Sequence, residues 1–599
     1  MATSLSATME CRMNGHAQTR KAEKRLPRRK FLRWSGLAAC GPWYPALIAA
    51  AESCQSAGSA GDELSVDVLI VGGGLGGCAA ALAATRAGAR VVITEPTDWI
   101  GGQITQQAVP TDDHRWIESC GCTRSYRELR RRIRNYYRQH YPLTDEAKAR
   151  PHLNPGGPGP VSPLAHEPKV CLAVLQELLA PAVQAGQLRL LLNTSPTAAD
   201  TEGDRVRAVR LLNAQDNRLV SIQAKYFVDA SETGELLPLT GTEFVTGSES
   251  QAQTGEPHAS AEPRPANMQA VTWCYAVDYL EDEDHTIDKP RQYDFWRQYR
   301  PQLTPPWPEQ PFLSFWYSSP STLRPVELSF VPTMGRYADH KTPTLNLWLY
   351  RRILNLANFQ PGAFPSDIAV INWPQNDYML GNPFGGTPEE NARHLEGARQ
   401  LSLSLLYWLQ TEAPRPDGKL GWRGLRLRGD VLGTEDGLAK FPYIRESRRI
   451  LAELTILEQH VRQPAAQRAG RYQVAPPFAD SIGVGSYGMD LHPTTGGDNY
   501  FHVGAYPYQI PLGALIPKRM ENLIAGCKNL GTTHLSNGAY RLHPTEWNIG
   551  ESAGALAAFC LEKQEPPRRI RHKEPLLSEF QARLVKAGVE LDWSKLAQT

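Results

Sequence analysis

The 599-residue chain has few cysteines and almost no net charge. Its ten cysteines are too scattered for a disulfide scaffold, and they show none of the paired spacings of a zinc site. A formal charge of +2 gives no overall attraction to nucleic acid or to an anionic membrane surface. We therefore expect no nucleic-acid partner and no bound metal.

Long apolar runs are also scarce. A moderately apolar stretch at residues 34–51 contains Gly41, Pro42 and Pro45, so we expect no stable transmembrane anchor there. The hydrophobic content of 41% and the charged content of 21% are ordinary for a globular protein. The length implies two or more domains.

The N-terminal segment resembles a twin-arginine export signal. Arg28–Leu32 reads Arg-Arg-Lys-Phe-Leu and precedes the weakly apolar stretch, while Ala49–Ala51 offers small residues for cleavage. This resemblance implies that residues 1–60 are a signal and a flexible N-terminus. It also implies the twin-arginine export machinery as a partner and a periplasmic or secreted location. Two alternatives remain, a basic disordered tail and a lipoprotein box at Leu37–Cys40, which lies too soon after the arginines.

The most informative stretch is Val66–Gly102, which predicts a strand, a glycine-rich turn, a helix, a second strand and a terminal acid. Its glycines fit G-x-G-x-x-G, a turn that lets a helix N-terminus approach a pyrophosphate. Glu95 follows 23 residues after Gly72, where an acid accepts hydrogen bonds from a ribose 2′-hydroxyl. This order favours a dinucleotide-binding turn over the turn of an ordinary α/β unit, and the acid favours FAD or NAD over NADP. The expected binding residues are Gly72, Gly74, Leu75, Gly76, Gly77 and Glu95.

A second dinucleotide unit is missing. Gly483–Gly488 repeats the glycine pattern, but it follows the proline-rich segment 476–480, which does not read as a strand, and it leads into Asp490–Pro493, which does not read as a helix. We therefore expect no nicotinamide domain, and the electron acceptor stays unknown.

Three blocks resemble the large bacterial FAD-dependent oxidoreductase family with glutathione-reductase-type nucleotide domains. Glu95–Gln103 is similar to its second FAD motif, Tyr226–Glu235 to its third, and Leu523–Leu561 to its C-terminal motif. The third motif departs from the family by carrying Ser231 and Glu232 where Thr-Gly is common. The resemblance implies FAD as cofactor, with further contacts at Gly101, Gly102, Gln103, Asp229, Gly234, Asn529, Thr545 and Asn548.

The blocks predict an α/β fold with a discontinuous Rossmann-like FAD-binding domain and an inserted α+β substrate domain. The FAD-binding domain is expected at 61–247 and 506–563, the substrate domain at 248–505 and a C-terminal tail at 564–599. The inserted region is rich in tryptophan and tyrosine, which are more often core than substrate contacts.

Three further segments carry open interpretations. The segment 125–141 predicts an amphipathic helix with a basic, solvated face. Tyr443–Arg449 predicts the start of a helix on which Arg445 and Arg448 share a face, to clamp a carboxylate or phosphate or to pair with neighbouring acids. Cys120 and Cys122 are either a redox pair, a covalent flavin link or buried thiols, and we favour buried thiols.

The expected reaction is the oxidation of a small organic substrate, with hydride transfer to flavin N5 and proton transfer to a base. His543 is the first candidate for that base because it precedes the flavin-facing helix. The alternatives are an FAD monooxygenase, an electron-transfer subunit, and a noncatalytic carbohydrate-binding or scaffold protein. Further candidates for catalytic residues are Tyr540, Arg541, His502 and Arg445.

Overall fold

The computed structural model describes residues 63–333, 341–342, 344–466 and 468–598, so the expected export signal lies outside the described residues. The first part of the chain builds a βαβ unit and a meander. Its elements are β1 (Glu63–Val71), α1 (Leu75–Arg86), β2 (Val91–Glu95), α2 (Arg124–His140), α3 (Asp145–Ala149), α4 (Pro168–Gln184), β3 (Leu188–Leu192), β4 (Thr194–Glu202), β5 (Arg205–Asn213) and β6 (Leu219–Asp229).

The inserted region consists of many short elements. Its helices are α5 (Leu236–Leu239), α6 (Gln251–Thr254), α7 (Tyr293–Gln298), α8 (Leu347–Tyr350), α9 (Pro388–Thr411), α10 (Gly429–Leu432) and α11 (Gln459–Arg462). Four of its strands form one antiparallel sheet, namely β9 (Tyr275–Tyr279), β12 (Arg352–Leu354), β13 (Ile368–Ile371) and β15 (Leu425–Leu427). Its other strands are β7 (Phe244–Val245), β8 (Val271–Thr272), β10 (Trp316–Ser318), β11 (Pro325–Glu327), β14 (Asp377–Tyr378), β16 (Arg449–Ile450), β17 (Arg468–Ala469), β18 (Tyr472–Gln473), β19 (Ser481–Gly485), β20 (Met489–Leu491) and β21 (Phe501–Val503).

The C-terminal part returns to the first sheet. It contains β22 (Tyr508–Pro511), β23 (Leu523–Ala525), α12 (His534–Tyr540), α13 (His543–Lys563), α14 (Pro567–His572) and α15 (Glu574–Ala587). Within the described residues, no helix combines the length and the apolar character needed to cross a bilayer.

A seven-stranded sheet organises the FAD-type domain and confirms the predicted fold class. β1 pairs in parallel with both β2 and β6, β3 extends the sheet beyond β2, and β4 and β5 add an antiparallel edge. β23 joins β6 in parallel, although about 300 residues separate the two strands (Ala525 lies opposite Asp229). The apolar run of β1 is buried because helices and strands cover both faces of a parallel sheet. The domain is therefore discontinuous, as the sequence predicts.

Helices α1 and α13 pack against each other at backbone contact distance. A Cβ added to Gly550 would lie 2.0 Å from the carbonyl oxygen of Gly76, and one added to Gly554 would lie 2.1 Å from that of Ala80. Only glycine permits this approach, and it brings the N-terminal ends of the two helices together.

One predicted local structure is wrong. Tyr443–Arg449 does not start a helix: Tyr443 forms a β-bridge with Thr272, residues 444–448 have no regular secondary structure, and Arg449 begins β16. The glycine pattern at 483–488 begins inside a strand, β19, which pairs with β22 across the expected domain boundary. In both segments long-range strand pairing decides the conformation. The second glycine pattern still opens no helix, so it does not form a βαβ turn.

The predicted basic helix is present, but not all of its arginines are exposed to solvent as expected. Residues 124–140 form α2, and Arg130 and Arg134 are buried rather than exposed. Arg130 pairs with Asp113, and both arginines pair with Glu118. These acids lie outside the helix, so the periodicity of the helix alone gave no sign of the burial.

Candidate functional site

The glycine-rich turn after β1 has the geometry that a bound pyrophosphate requires. Gly72 adopts a φ of +101°, and a Cβ there would lie 2.3 Å from the carbonyl oxygen of Ala230. A Cβ on Gly77 would lie 1.9 Å from the carbonyl oxygen of Gly72, so the third glycine lets α1 pack onto the turn. The turn thus leads directly into the N-terminus of α1, which favours an anion.

Glu95 ends β2 beside this turn and is buried. Its Oε1 accepts hydrogen bonds from the main-chain N–H (2.9 Å) and the hydroxyl (2.8 Å) of Thr97. Its Oε2 lies 3.1 Å from the position that a Cβ would take on Gly73. Burial raises the pKa of the carboxyl to about 8. A ribose hydroxyl donating to the oxygen that faces the turn would stabilise the ionised form.

The segment after Gly101 contains buried amides without protein partners. Gly101 and Gly102 have φ values of +113° and +58°, which turn the chain sharply beside Gly74. Within the described residues, Oε1 of Gln103 and the Oε1 and Nε2 atoms of Gln107 are buried and have no hydrogen-bond partner. Buried polar atoms are normally paired, so this surface is built to contact a polar ligand.

The N-terminus of α13 meets that of α1 through Glu546. Its Oε1 accepts a 3.3 Å hydrogen bond from the main-chain N–H of Gly76, and its Oε2 accepts one from Gln103. Lys528, which follows β23, pairs with both Glu546 (3.5 Å) and Glu232. The sequence analysis assigned no role to these charged residues.

The other expected FAD contacts have structural partners. Asp229 accepts hydrogen bonds from the main-chain N–H groups of Ser231 (3.1 Å) and Leu236 (3.0 Å), and burial raises its pKa to about 6. Asn529 donates to the carbonyl of Asp229, and Gly234 has a φ of +65°. Asp229, Asn529 and Gly234 therefore shape the loop after β6.

Two expected contacts on α13 face β19. The amide of Asn548 donates to the carbonyl of Ile482 (3.1 Å) and accepts from the N–H of Val484 (3.4 Å). The Thr545 hydroxyl lies 2.6 Å from the position of a Cβ on Gly485. These side chains fix α13 to that strand.

His543 is fully buried at the start of α13. Its Nδ1 accepts a 3.1 Å hydrogen bond from the main-chain N–H of Asp112, while Nε2 has no partner among the described residues. Burial lowers the pKa of the ring to about 4. Asp112 itself pairs with Arg351 at 3.0 Å.

Asp490 is the centre of a charged cluster. It lies on β20 directly opposite His502 of β21, and their side chains approach to 3.4 Å. Arg541, at the end of α12, donates to Asp490 at 3.1 Å and to the Tyr443 hydroxyl at 2.7 Å. Burial opposes ionisation of Asp490, but His502, His492 and Arg541 outweigh it and lower the pKa.

Asp377 continues the cluster on β14. His492 Nδ1 lies 2.6 Å from its Oδ2, Arg445 lies 3.1 Å from its Oδ1, and the Tyr500 hydroxyl donates to it at 3.2 Å. Burial opposes ionisation of Asp377, but Arg445 and His492 outweigh it and lower the pKa. Burial and the nearby Arg445 lower the pKa of His492.

The cluster reaches the glycine turn through one side chain. Nε2 of Gln103 donates to the carbonyl of Arg541 (2.9 Å) as well as to Glu546, which contacts Gly76. His543 lies two residues beyond Arg541 in the chain, and three of the five candidate catalytic residues, Arg541, Arg445 and His502, contact this connected cluster. Tyr540 does not, because its hydroxyl donates to the carbonyl of Gln509 and its ring stacks on Tyr508.

The sequence search missed Asp377, Asp490 and His492 as site residues. A signal existed only for the last two, since Asp490 and His492 are two residues apart beside the second glycine pattern. Asp377 carries no motif, and only the pairing of β14 with β8 brings it to the site.

The sequence model of the family described as FAD dependent oxidoreductase matches residues 67–584. The chain belongs to this family. It is an FAD-dependent oxidoreductase, and its cofactor is FAD. A search among curated proteins finds no match.

Solved structures that resemble parts of this oxidoreductase have low identity. L-proline dehydrogenase from P. horikoshii is 18% identical over 31% of this chain and 24% of that chain, with a TM-score of 0.16. Thermovibrio ammonificans THI4 is 20% identical over 34% of this chain and 72% of that chain, with a TM-score of 0.21. Glycerol-3-phosphate dehydrogenase from Bacillus halodurans, complexed with FAD, is 13% identical over 36% of this chain and 40% of that chain, with a TM-score of 0.20. The first and third matches span less than half of those chains.

The residues of this oxidoreductase fit FAD. The glycine turn and Glu95 suit a diphosphate and a ribose, and the unpartnered groups of Gln103, Gln107 and His543 suit the polar edge of a flavin. Among the described residues, no group of histidine, cysteine, aspartate and glutamate is arranged to hold a metal ion.

The thiols of Cys120 and Cys122 are buried and unbonded to each other. Burial raises the pKa of Cys122 to about 12, and Arg127 donates to its sulfur at 3.3 Å. Such a thiol carries little thiolate at neutral pH, which agrees with buried thiols rather than a redox pair.

Proposed function

We propose that this oxidoreductase is an exported dehydrogenase or oxidase that moves a hydride from a small organic substrate to flavin N5. When bound, FAD supplies the two-electron acceptor. The observation that carries this proposal is the Asp377–His492–Asp490 cluster, which connects through Arg541 and Gln103 to the glycine turn; Asp377 is buried, and His492 and Asp490 are partly buried. Dehydrogenation needs a base beside the flavin, and this cluster offers one.

His492 is the proposed base. Its Nδ1 contacts the ionised Asp377 at 2.6 Å, which holds the Nδ1–H tautomer and leaves the lone pair on Nε2. Nε2 lies 3.7 Å from Asp490, too far for a hydrogen bond. The lowered pKa keeps the ring neutral near pH 7, so that it can accept a proton from the substrate.

His543 suits a different task. Because Nδ1 accepts from Asp112, the neutral ring carries its proton on Nε2, where it can donate to a cofactor or substrate oxygen. Arg445 and Arg541 act as positioning residues, since they hold Asp377 and Asp490 in their ionised forms. His502 supports Asp490 from the opposite strand.

The alternative functions receive less support. An FAD monooxygenase needs a source of reducing equivalents, and the second glycine pattern lies in an antiparallel strand pair rather than in a βαβ unit. A noncatalytic carbohydrate-binding protein would display aromatic platforms. The tryptophans of the inserted region are instead mostly buried, among them Trp273, Trp296, Trp348, Trp373 and Trp408.

Anaerobic reduction of the bound flavin tests the proposal. Sugars, amines, amino acids and alcohols are mixed separately with the oxidised holoenzyme, and the flavin absorbance is followed. We expect one class to bleach the flavin, and we expect His492→Ala to slow that reduction about 100-fold or more without loss of FAD. His572→Gln, a change at an exposed histidine paired with Glu453, is the matched control. Bleaching by none of the classes, or an unchanged rate in His492→Ala, contradicts the proposal.

A further inference from the structure

A buried charge cluster lies against the glycine turn, where the diphosphate of FAD must bind. Its members are Glu232, Lys528 and Glu546, and we refer to them as the turn cluster. The side chains of Lys528 and Glu546 are 3% and 1% exposed, and that of Glu232 is 13% exposed. Lys528 pairs with both carboxylates.

Glu232 lies directly over the turn. Its Oε1 is 3.0 Å from the position that a Cβ would take on Gly74 and 2.9 Å from the equivalent position on Gly102. These are the glycines whose missing side chains leave room for the cofactor.

Glu546 holds the other side of the same space. It accepts from the N–H of Gly76 in the first turn of α1, a position that suits an oxygen of an anion. Gln103 donates to Glu546, and its own Oε1 is buried without a partner among the described residues. The space therefore still lacks a polar ligand.

The charges of the turn cluster do not match a diphosphate. Lys528 is the single cation beside two carboxylates, so the turn cluster holds no excess positive charge for a diphosphate, and burial raises the pKa of Glu546. Burial opposes the charged ammonium, but Glu232 and Glu546 outweigh it and raise the pKa of Lys528, so the lysine stays cationic. A phosphate oxygen can replace only the carboxylate that is free to move. Glu232 is that carboxylate, because it is the more exposed and has no hydrogen bond to the helix N-terminus like that of Glu546.

We propose that Lys528 is the cation that binds the FAD diphosphate, and that Glu232 is a displaceable carboxylate that competes with the diphosphate for Lys528. Loss of Glu232 should then strengthen FAD binding, and loss of Lys528 should weaken it. This proposal rests on FAD as the cofactor and not on the proposed reaction.

The rate of FAD release from the holoenzyme tests the proposal. Dilution into buffer is followed by the rise of free flavin fluorescence, and apoprotein titrated with FAD gives the Kd. We expect Glu232→Gln to slow release and lower the Kd about tenfold, and Lys528→Met to change both in the opposite direction by about tenfold or more. Lys528→Arg should restore much of the binding. Glu453→Gln, a buried carboxylate paired with Arg571 elsewhere, is the matched control.

Glu232→Ala is the second variant if the glutamine does not fold, and circular dichroism verifies folding in each protein. Faster or unchanged release in both Glu232 variants overturns the proposal, because Glu232 would then support the cofactor or have no part in its binding. Unchanged release in Lys528→Met also overturns it. A holoenzyme that no substrate class reduces contradicts the proposed reaction but leaves this test intact.

Discussion

The main-chain N–H of Gly76 donates a 3.3 Å hydrogen bond to the carboxylate of Glu546, although 470 residues separate them in the sequence. This contact joins the start of the first helix to the start of the helix that the C-terminal part contributes. Both helix N-termini therefore border one site. A single FAD molecule can then contact both, with its diphosphate at one helix and its ring near the other.

Packing between these helices should tolerate no side chain at Gly550. A Cβ there would lie 2.0 Å from the carbonyl of Gly76, so Gly550→Ala must push α13 away from the glycine turn. We expect a loss of about 3 kcal/mol in the free energy of unfolding and a lower FAD content. Urea unfolding and the flavin absorbance measure these effects. Gly504→Ala is the control, since no atom lies within 4 Å of its added Cβ, and equal behaviour of both variants would argue against this packing.

The pH dependence of flavin reduction should separate the roles of His543 and His492. The pKa of His543 is lowered to about 4, so its titration cannot produce a rate change between pH 5 and 8. We expect His543→Asn, which keeps an acceptor for the N–H of Asp112, to lower the rate and leave the shape of the pH profile unchanged. His492→Ala should remove the fall in the reduction rate at low pH, which we call the acid-side limb of the pH profile. Loss of that limb in His543→Asn instead would assign the base to His543.

His502 should stabilise the fold only at low pH. Its hydrogen bond to Asp490 raises the pKa of the folded state above the unfolded value. The stabilisation is therefore complete below the unfolded pKa, near 6.5, and is lost as the pH rises through the folded pKa. The side chain is 38% exposed, so solvent screening limits the effect to less than about 1 kcal/mol. Urea unfolding from pH 5 to 9 measures the free energy of unfolding of the wild type and of His502→Gln. The two free energies should converge at high pH, and a difference that stays constant with pH would contradict this assignment.

Export should depend on the paired arginines. Twin-arginine transport recognises the arginine pair, so replacement of both Arg28 and Arg29 by lysine should leave the precursor in the cytoplasm. Cell fractionation and detection of the FAD-loaded protein measure the outcome, with Arg20→Lys as the control outside the motif. Equal amounts in the periplasm for both proteins would exclude this route.

The sequence by itself determined the FAD turn, because strand, glycines, helix and acid follow one another within the short stretch Val66–Gly102. The resemblance of Leu523–Leu561 to the family's C-terminal motif predicted the C-terminal helix and the return of β23 to the sheet. Short-range patterns of this kind encode backbone conformation directly, since each glycine or apolar residue acts on its own neighbours.

The charged site was decided only by the tertiary structure. Asp377, Asp490 and Arg541 come from segments far apart in the chain, and strand pairing and helix packing bring them into contact. The same cause explains the wrong helix at Tyr443–Arg449, where Arg445 pairs with the distant Asp377 and Tyr443 with the distant Thr272. Charge pairing between remote segments leaves no periodic trace in the sequence, so only the folded chain reveals which carboxylate faces which cation.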